Sequence, residues 1–145
     1  NPKLDKNMFG NPKIINEVLI QDKVTPLGIK LNDLNRMNEI NKGEIIVKKY
    51  IDFVLKCWRY GLCDPTYNFS INCGINQKGK IVLVDFDEVT YSKSHIIKNI
   101  QDKRWLKAWS YKRGIPKKLK GYYYDKSIEN FTIKNLNKYW GTLPT

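Results

Sequence analysis

The stretch Asn72-Cys73-Gly74-Ile75-Asn76-Gln77-Lys78-Gly79-Lys80-Ile81-Val82-Leu83-Val84-Asp85-Phe86-Asp87 decides how this chain is read. Phe69 to Ile75 reads as one strand, Asn76 to Gly79 as a turn, and Lys80 to Phe86 as the return strand of a hairpin. Residues Ile81 to Val84 are apolar without alternation, so both faces of that strand are expected to be covered. Asp85 closes the apolar run. A carboxylate buried there is raised in pKa and costs several kcal/mol unless a cation or donors compensate it. Asp87 and Glu88 follow, and Asn72 stands on the preceding strand, which makes an oxygen cage suited to Mg²⁺. The plainer reading makes Asp85 a turn cap, and the residues alone do not choose between the two.

Upstream lies the clearest helix, Asn41 to Gly61. Asn41 with Glu44 three residues on forms an N-terminal cap with a reciprocal carboxylate. Val47, Tyr50, Ile51, Val54 and Trp58 recur at helical spacing, Phe53 and Leu55 widen the stripe, and Gly61 supplies the left-handed stop. This helix belongs at the centre of the fold. Between it and the hairpin, Leu62 to Asn68 is turn-rich and aperiodic. Nearer the start, Lys13 to Gln21 is rich in β-branched residues and reads as a strand, ended by Thr25-Pro26-Leu27-Gly28. Ile29 to Asn41 holds a short helix or a loop, and Asn1 to Pro12 is loop and turn. Downstream, a helical pattern runs from Ser94 through Ile96, Ile97, Ile100, Trp105, Leu106 and Trp109 to Gly114 and Pro116. Lys117 to Asn130 makes a third helix. Ile133 to Trp140 makes a fourth, capped by Thr132 and stopped by Gly141.

The 145 residues suit one domain with a real core, and with 41% hydrophobic and 12% aromatic residues disorder is not the default reading. No apolar run approaches the roughly 20 residues that span a bilayer, and no signal-peptide pattern opens the chain. Cys57, Cys63 and Cys73 are odd in number and lack metal-type spacing. Neither zinc nor a disulfide framework is expected, and a cytoplasmic setting is. The net charge of +12 points to polyanionic partners. Only four of the 26 basic residues are arginines, however, and close recognition of phosphates or bases leans on arginine forks. Lysine, asparagine and isoleucine together are what A/T-rich coding favours, so composition explains part of the charge.

Residues 72–87 resemble the end of the catalytic loop, the short hairpin and the D-F-G metal motif of the protein-kinase-like superfamily. In that family the asparagine of H-R-D-x-x-x-x-N and the aspartate of D-F-G hold the metals on the nucleotide phosphates. Asp85-Phe86-Asp87-Glu88 is similar to the D-F-D and D-F-E variants of aminoglycoside-type and other small-molecule kinases. The resemblance spans residues 13 to 90. The Asn41–Tyr60 helix stands where the long C-lobe helix precedes the catalytic loop, and Glu17 to Val24 is similar to the last N-lobe strand running into the hinge.

The resemblance implies an α+β fold: a mostly helical kinase-like C-lobe with a small β-hairpin and a strand from the hinge side, a fragment of a larger fold entered at Asn1. Residues 1–28 are then the end of the N-lobe and the hinge, and 29–145 the C-lobe. It implies Mg²⁺ and ATP as cofactors, with Asn72, Asp85 and Asp87 as metal ligands and the hinge backbone of Asp22, Lys23 and Val24 on the adenine. The position of the catalytic aspartate, five before Asn72, holds Tyr67. The nearest carboxylate is Asp64, which needs a longer loop to reach the site. No glycine-rich phosphate loop and no strand lysine are recognisable. An active phosphotransferase, on a small hydroxylated molecule or a protein, and a pseudokinase both fit this pattern.

The rival reading is a non-enzymatic basic module. From Lys93 to Lys120 there are ten basic residues and one acid, Asp102. With Tyr122-Tyr123-Tyr124 for stacking, this segment suits nucleic acid. A solvated helix face and a tyrosine cluster that packs a terminal helix account for the same residues. His95, the only histidine, sits at a helix start and is expected in solvent, which argues against a Ser-His-Asp triad. Trp105 and Trp109 lie at helical spacing and are expected in the core.

Overall fold

The computed structural model describes residues 5–15 and 18–143 of the chain. Lys6–Phe9 form a 3-10 turn, capped by the Asp5 carboxylate and ended by a left-handed Gly10. β1 (Lys13–Ile15) and β2 (Val18–Ile20) pair antiparallel, with Lys13 opposite Ile20. The run from Lys13 to Gln21 is therefore two paired strands rather than one. Its β-branched composition serves either arrangement, and the joining residues 16 and 17 lie outside the described residues.

β3 (Val24–Pro26) leads directly into α1 (Leu27–Arg36), whose Leu27, Leu31 and Leu34 recur on one face and are buried. The boundary drawn at residue 28 falls inside this helix. α2 (Ile40–Arg59) is the central helix, burying Val47, Tyr50, Ile51, Phe53, Val54 and Trp58 as its periodicity requires. Its start differs from the expected cap. Glu39 takes the N-cap position without a side-chain bond, so Asn41 and Glu44 already lie within the helix. At the other end Gly61 adopts φ +73°, a conformation costly for any residue with a Cβ.

α3 (Phe69–Asn72) is a single turn, followed by the hairpin of β4 (Cys73–Asn76) and β5 (Ile81–Leu83). The first strand is shorter than expected because Phe69–Asn72 curl into this turn, which carries the Phe69 ring onto Tyr50 and Tyr123 at 4.4 and 5.1 Å. β3, β4 and β5 form an antiparallel sheet in that order. All three residues of β5 are buried, so the apolar run is covered on both faces.

α4 (Lys93–Gln101) begins at Ser92, whose hydroxyl accepts the His95 N–H, and His95 is exposed. The helical pattern expected to continue to Trp109 breaks at Lys103, which has φ +49°. A 3-10 turn at Arg104–Leu106 and a π-helix at Ser110–Gly114 follow. Trp105 is buried, with its indole N–H on Ser127 at 2.8 Å. Trp109 is 49% exposed, contrary to the expectation, because the break takes the two indoles off a shared helix face.

α5 (Lys117–Asn130) and α6 (Ile133–Tyr139) fall where the sequence places them, with the Thr132 hydroxyl accepting from Asn135 and Gly141 left-handed. Tyr123 is buried against α2, so the tyrosine cluster packs this helix onto the body. The chain then returns to α2: Gly141 and Leu143 donate their N–H groups to the carbonyls of Trp58 and Arg59, satisfying the helix end. The fold is α+β, mostly helical with small antiparallel sheets. Among the described residues no helix is long and apolar enough to cross a membrane.

Candidate functional site

The site is assembled where the loop after α2 runs beside the segment after β5. Cys63 and Thr90 form an antiparallel bridge, exchanging N–H to O contacts of 3.0 and 2.8 Å. This pair clamps the start of the 64–72 loop to the residues that follow Asp85-Phe86-Asp87-Glu88. Within the loop, Asp64 Oδ1 accepts the Thr66 N–H at 2.9 Å and the Thr66 hydroxyl at 2.7 Å. The Thr66 hydroxyl in turn accepts the Asn68 N–H at 3.2 Å. Such local bonds fix a turn that aims Asp64 back over the loop.

Asn72, only 6% exposed, meets it there. Its amide nitrogen donates to Asp64 Oδ2 at 3.1 Å and to Thr66 Oγ1 at 3.2 Å. Its main-chain carbonyl accepts the N–H of Val84 at 2.8 Å and that of Asp85 at 3.4 Å. Asn72 thus ties the loop carboxylate to the base of the acidic segment. Both amide hydrogens are spent, so the group it has left to offer a ligand is the carbonyl oxygen Oδ1, an acceptor.

Asp64 therefore reaches the site, and the α3 turn supplies the extra chain that this requires. Tyr67, at the five-residue spacing, goes elsewhere. Its backbone is left-handed at φ +53°, and its ring is buried against Trp105 and Phe131, with centroids 6.1 and 6.0 Å away. A bulky residue in this region costs on the order of 1–3 kcal/mol, which the burial of its ring offsets. Thr66, which joins Asp64 to Asn72, is a site residue that periodicity did not single out. Its signal is local, a threonine two residues after an aspartate in a turn.

Asp85 is exposed, not buried at the end of its strand, so the expectation of a costly desolvated carboxylate does not hold. The apolar run stops at Leu83, Val84 is half-buried, and the chain emerges before the carboxylate. Asp85 Oδ1 accepts the Asp87 N–H at 3.2 Å, a turn-capping bond. Between the two acids, the Phe86 ring packs edge-on against Phe9 at 5.5 Å and anchors the segment to the N-terminal turn. Asp87 and Glu88 are exposed. Among the described residues no three of His, Cys, Asp and Glu converge as a metal site.

Behind Asp64 the surroundings are apolar and thiol-lined. A void of about 10 Å³, room for no more than a water, is bordered by Tyr50, Phe53, Cys57, Cys63, Asp64 and Cys73. The three thiols are free and buried. Burial pushes the Cys63 thiol up to about 12 and those of Cys57 and Cys73 well above their ordinary range. Thiols held neutral in this way are poor nucleophiles.

Asp22, Lys23 and Val24 stand apart from these groups. Val24 lies opposite Asn76, at the far end of β4 from Asn72, four residues or about 13 Å of extended chain away. The Asp22 N–H is donated to the Gly10 carbonyl at 2.7 Å, and its carboxylate accepts from Asn11, also at 2.7 Å. Its amide is thereby committed within the protein. Asp22 and Lys23 line a pocket of about 420 Å³ with Asn76, Gln77, Lys78 and Lys80. Most of the basic residues from Lys93 to Lys120 are exposed; Lys120 folds back onto the Lys112 carbonyl at 2.6 Å. No known protein family, curated protein or solved structure matches this chain.

Proposed function

We propose that the chain is a kinase-like domain that binds Mg²⁺-nucleotide, with Asn72 Oδ1, Asp85 and Asp87 on the cation and Asp64 on the acceptor hydroxyl. The observation that carries this reading is the hydrogen bond from Asn72 to Asp64, on an asparagine whose carbonyl is fastened to Val84 and Asp85. Three groups that phosphoryl transfer uses, a carboxylate near the acceptor, an amide oxygen and a terminal-strand carboxylate, share one framework.

The donor chemistry fits the cation. Carboxylate and amide oxygens are hard ligands of the kind Mg²⁺ takes, and the exposure of Asp85 leaves room for the waters that Mg²⁺ retains. When bound, the cation neutralises charge on the phosphates. Asp64 has about four lone-pair sites, of which Thr66 occupies two and Asn72 one. The remaining site on Oδ2 is available to a hydroxyl proton. With Thr66 and Asn72 fixing its plane, Asp64 acts by orienting the acceptor oxygen and accepting its proton. The adenine would lie toward Lys23 and Val24, with the length of β4 between it and the phosphates.

The test is thermal unfolding with Mg²⁺-ATP, with ATP plus chelator, and with Mg²⁺ alone. Only the first should raise the midpoint, by several degrees at saturation, and Asp85→Ala should abolish the rise. A midpoint indifferent to Mg²⁺-ATP, together with oligonucleotide binding that falls steeply with salt and ignores Asp85→Ala, would establish the basic-module reading instead.

A further inference from the structure

Three elements border a groove of about 550 Å³. α1 contributes Ile29, Asn32 and Arg36 at helical spacing, α3 contributes Ile71, and the π-helix with its preceding residue contributes Trp109 and Arg113. The elements meet closely because two glycines let them. A Cβ on Gly114 would stand 2.6 Å from the Ser70 hydroxyl, and one on Gly28 would stand 3.0 Å from Ser70 Cβ. Buried Ser70 and Ser110 hydroxyls, 2.5 Å apart, lock this junction.

The lining is unusual for a solvent-facing surface. Ile71 is 61% exposed, Ile29 55% and Trp109 about half, so a set of large apolar side chains sits in water around one depression. Exposed apolar side chains gathered around one depression, rather than scattered singly, point to a contact surface. π-helical turns are rare and gather at functional sites, and this one places Arg113 four residues after Trp109. Two of the chain's four arginines line the groove, with no lysine and no carboxylate among the lining residues. Arg36 is paired with Asp33, whereas Arg113 has no ion-pair or hydrogen-bond partner among the described residues.

We propose that this groove docks an acidic peptide segment of a partner protein, which lays a bulky apolar side chain against Ile71 and Trp109 and a carboxylate on Arg113. Arginine with tryptophan is the pairing that dominates protein-recognition energetics, and the guanidinium fork matches a carboxylate. A small metabolite needs a site that encloses most of its surface, and walls this open to water do not enclose one. A second copy of the chain is disfavoured by its +12 charge, since a two-fold contact would bring like arginines together. Nucleic acid needs a track of cations along its backbone, and only two cationic side chains line this groove.

The test is fluorescence anisotropy of a labelled peptide carrying one phenylalanine flanked by glutamates. Saturable binding is expected, weakened about tenfold or more by Arg113→Glu and by Ile71→Ser, and by replacing the peptide's phenylalanine with alanine. Lys134→Glu on exposed α6 should leave binding unchanged. All three protein substitutions are at exposed positions, and unfolding midpoints close to wild type confirm that the variants fold. The proposal is overturned by absence of saturable binding. It is equally overturned by equal binding of the alanine peptide, by a loss in Lys134→Glu matching that in Arg113→Glu, or by a dimer in sedimentation that Ile71→Ser dissociates.

Discussion

The carboxamide of Asn72 donates to the carboxylate of Asp64 at 3.1 Å, across eight residues of chain. The connection exists because Tyr67 turns its ring into the core, Phe69–Asn72 close a helical turn, and Cys63–Thr90 pins the loop's first residue. Each device serves packing, and together they bring a carboxylate to an asparagine that the return strand already holds. The candidate chemistry and the core are thus built from one loop.

If that loop is one cooperative network, Asp64→Ala and Asn72→Ala should not add. Each should cost about 1–3 kcal/mol, because each strands the other's buried hydrogen-bonding group. A double-mutant cycle from urea melts should give a coupling of at least about 0.5 kcal/mol. Strict additivity would show that the 3.1 Å contact contributes nothing.

Gly74 sits in β4 opposite Pro26, where an added Cβ would lie 2.7 Å from Val24 Cγ2, 2.9 Å from Val24 Cβ and 3.0 Å from the Thr25 carbonyl. The two nearer atoms belong to a stiff branched side chain and the third to backbone, so none can step aside cheaply. Gly74→Ala should therefore cost about 1–3 kcal/mol in chemical denaturation. A stability within error of wild type would mean that β3 and β4 are free to separate.

The sequence made some of this legible and hid the rest for physical reasons. α2 announces itself by burial at helical spacing and the stop at Gly61, and α6 by its Thr132 cap and the stop at Gly141; α5 carries no side-chain cap bond. The fate of Phe69–Asn72 was hidden because a run with a phenylalanine and an isoleucine suits a strand edge as well as one helical turn, and only the Tyr50 and Tyr123 rings decide it. Periodicity puts Trp109 in the core because it assumes an unbroken helix, and nothing local announces the left-handed Lys103. Asp64 is the nearest carboxylate in the sequence, but its reach depends on Tyr67 adopting a conformation that tyrosine rarely takes. Asp85 was expected to be buried because the apolar run gives no sign that the chain surfaces at Val84.

Tyr67 carries a hydroxyl that is buried without a hydrogen-bond partner among the described residues. Removing that oxygen removes an unsatisfied group and leaves the ring's contacts with Trp105 and Phe131. Tyr67→Phe should therefore be neutral or stabilising by up to about 1 kcal/mol, whereas Tyr67→Ala should cost about 3–5 kcal/mol through lost packing. Thermal melts of the two variants check this. A clear loss in Tyr67→Phe would mean that the hydroxyl is satisfied, with Cys63 and Asn99 as its nearest partners.

The buried thiols set an alkaline limit on stability. Cys63 titrates in the fold near 12 against an ordinary 9.0, and burial shifts Cys57 and Cys73 in the same direction. A group whose folded-state pKa is raised holds its proton more tightly when folded. Its contribution is fully present below pH 9 and drains away as the pH climbs from 9 toward 12, by at most about 1.4 kcal/mol per pH unit for each thiol. Urea midpoints should fall over that window, and Cys63→Ala should flatten the slope. At pH 8 a chromogenic disulfide reagent should find no reactive thiol in the native protein and three in denaturant. Rapid labelling of Cys63 in the native state would show instead that the 64–72 loop opens readily, and with it the contact between Asp64 and Asn72.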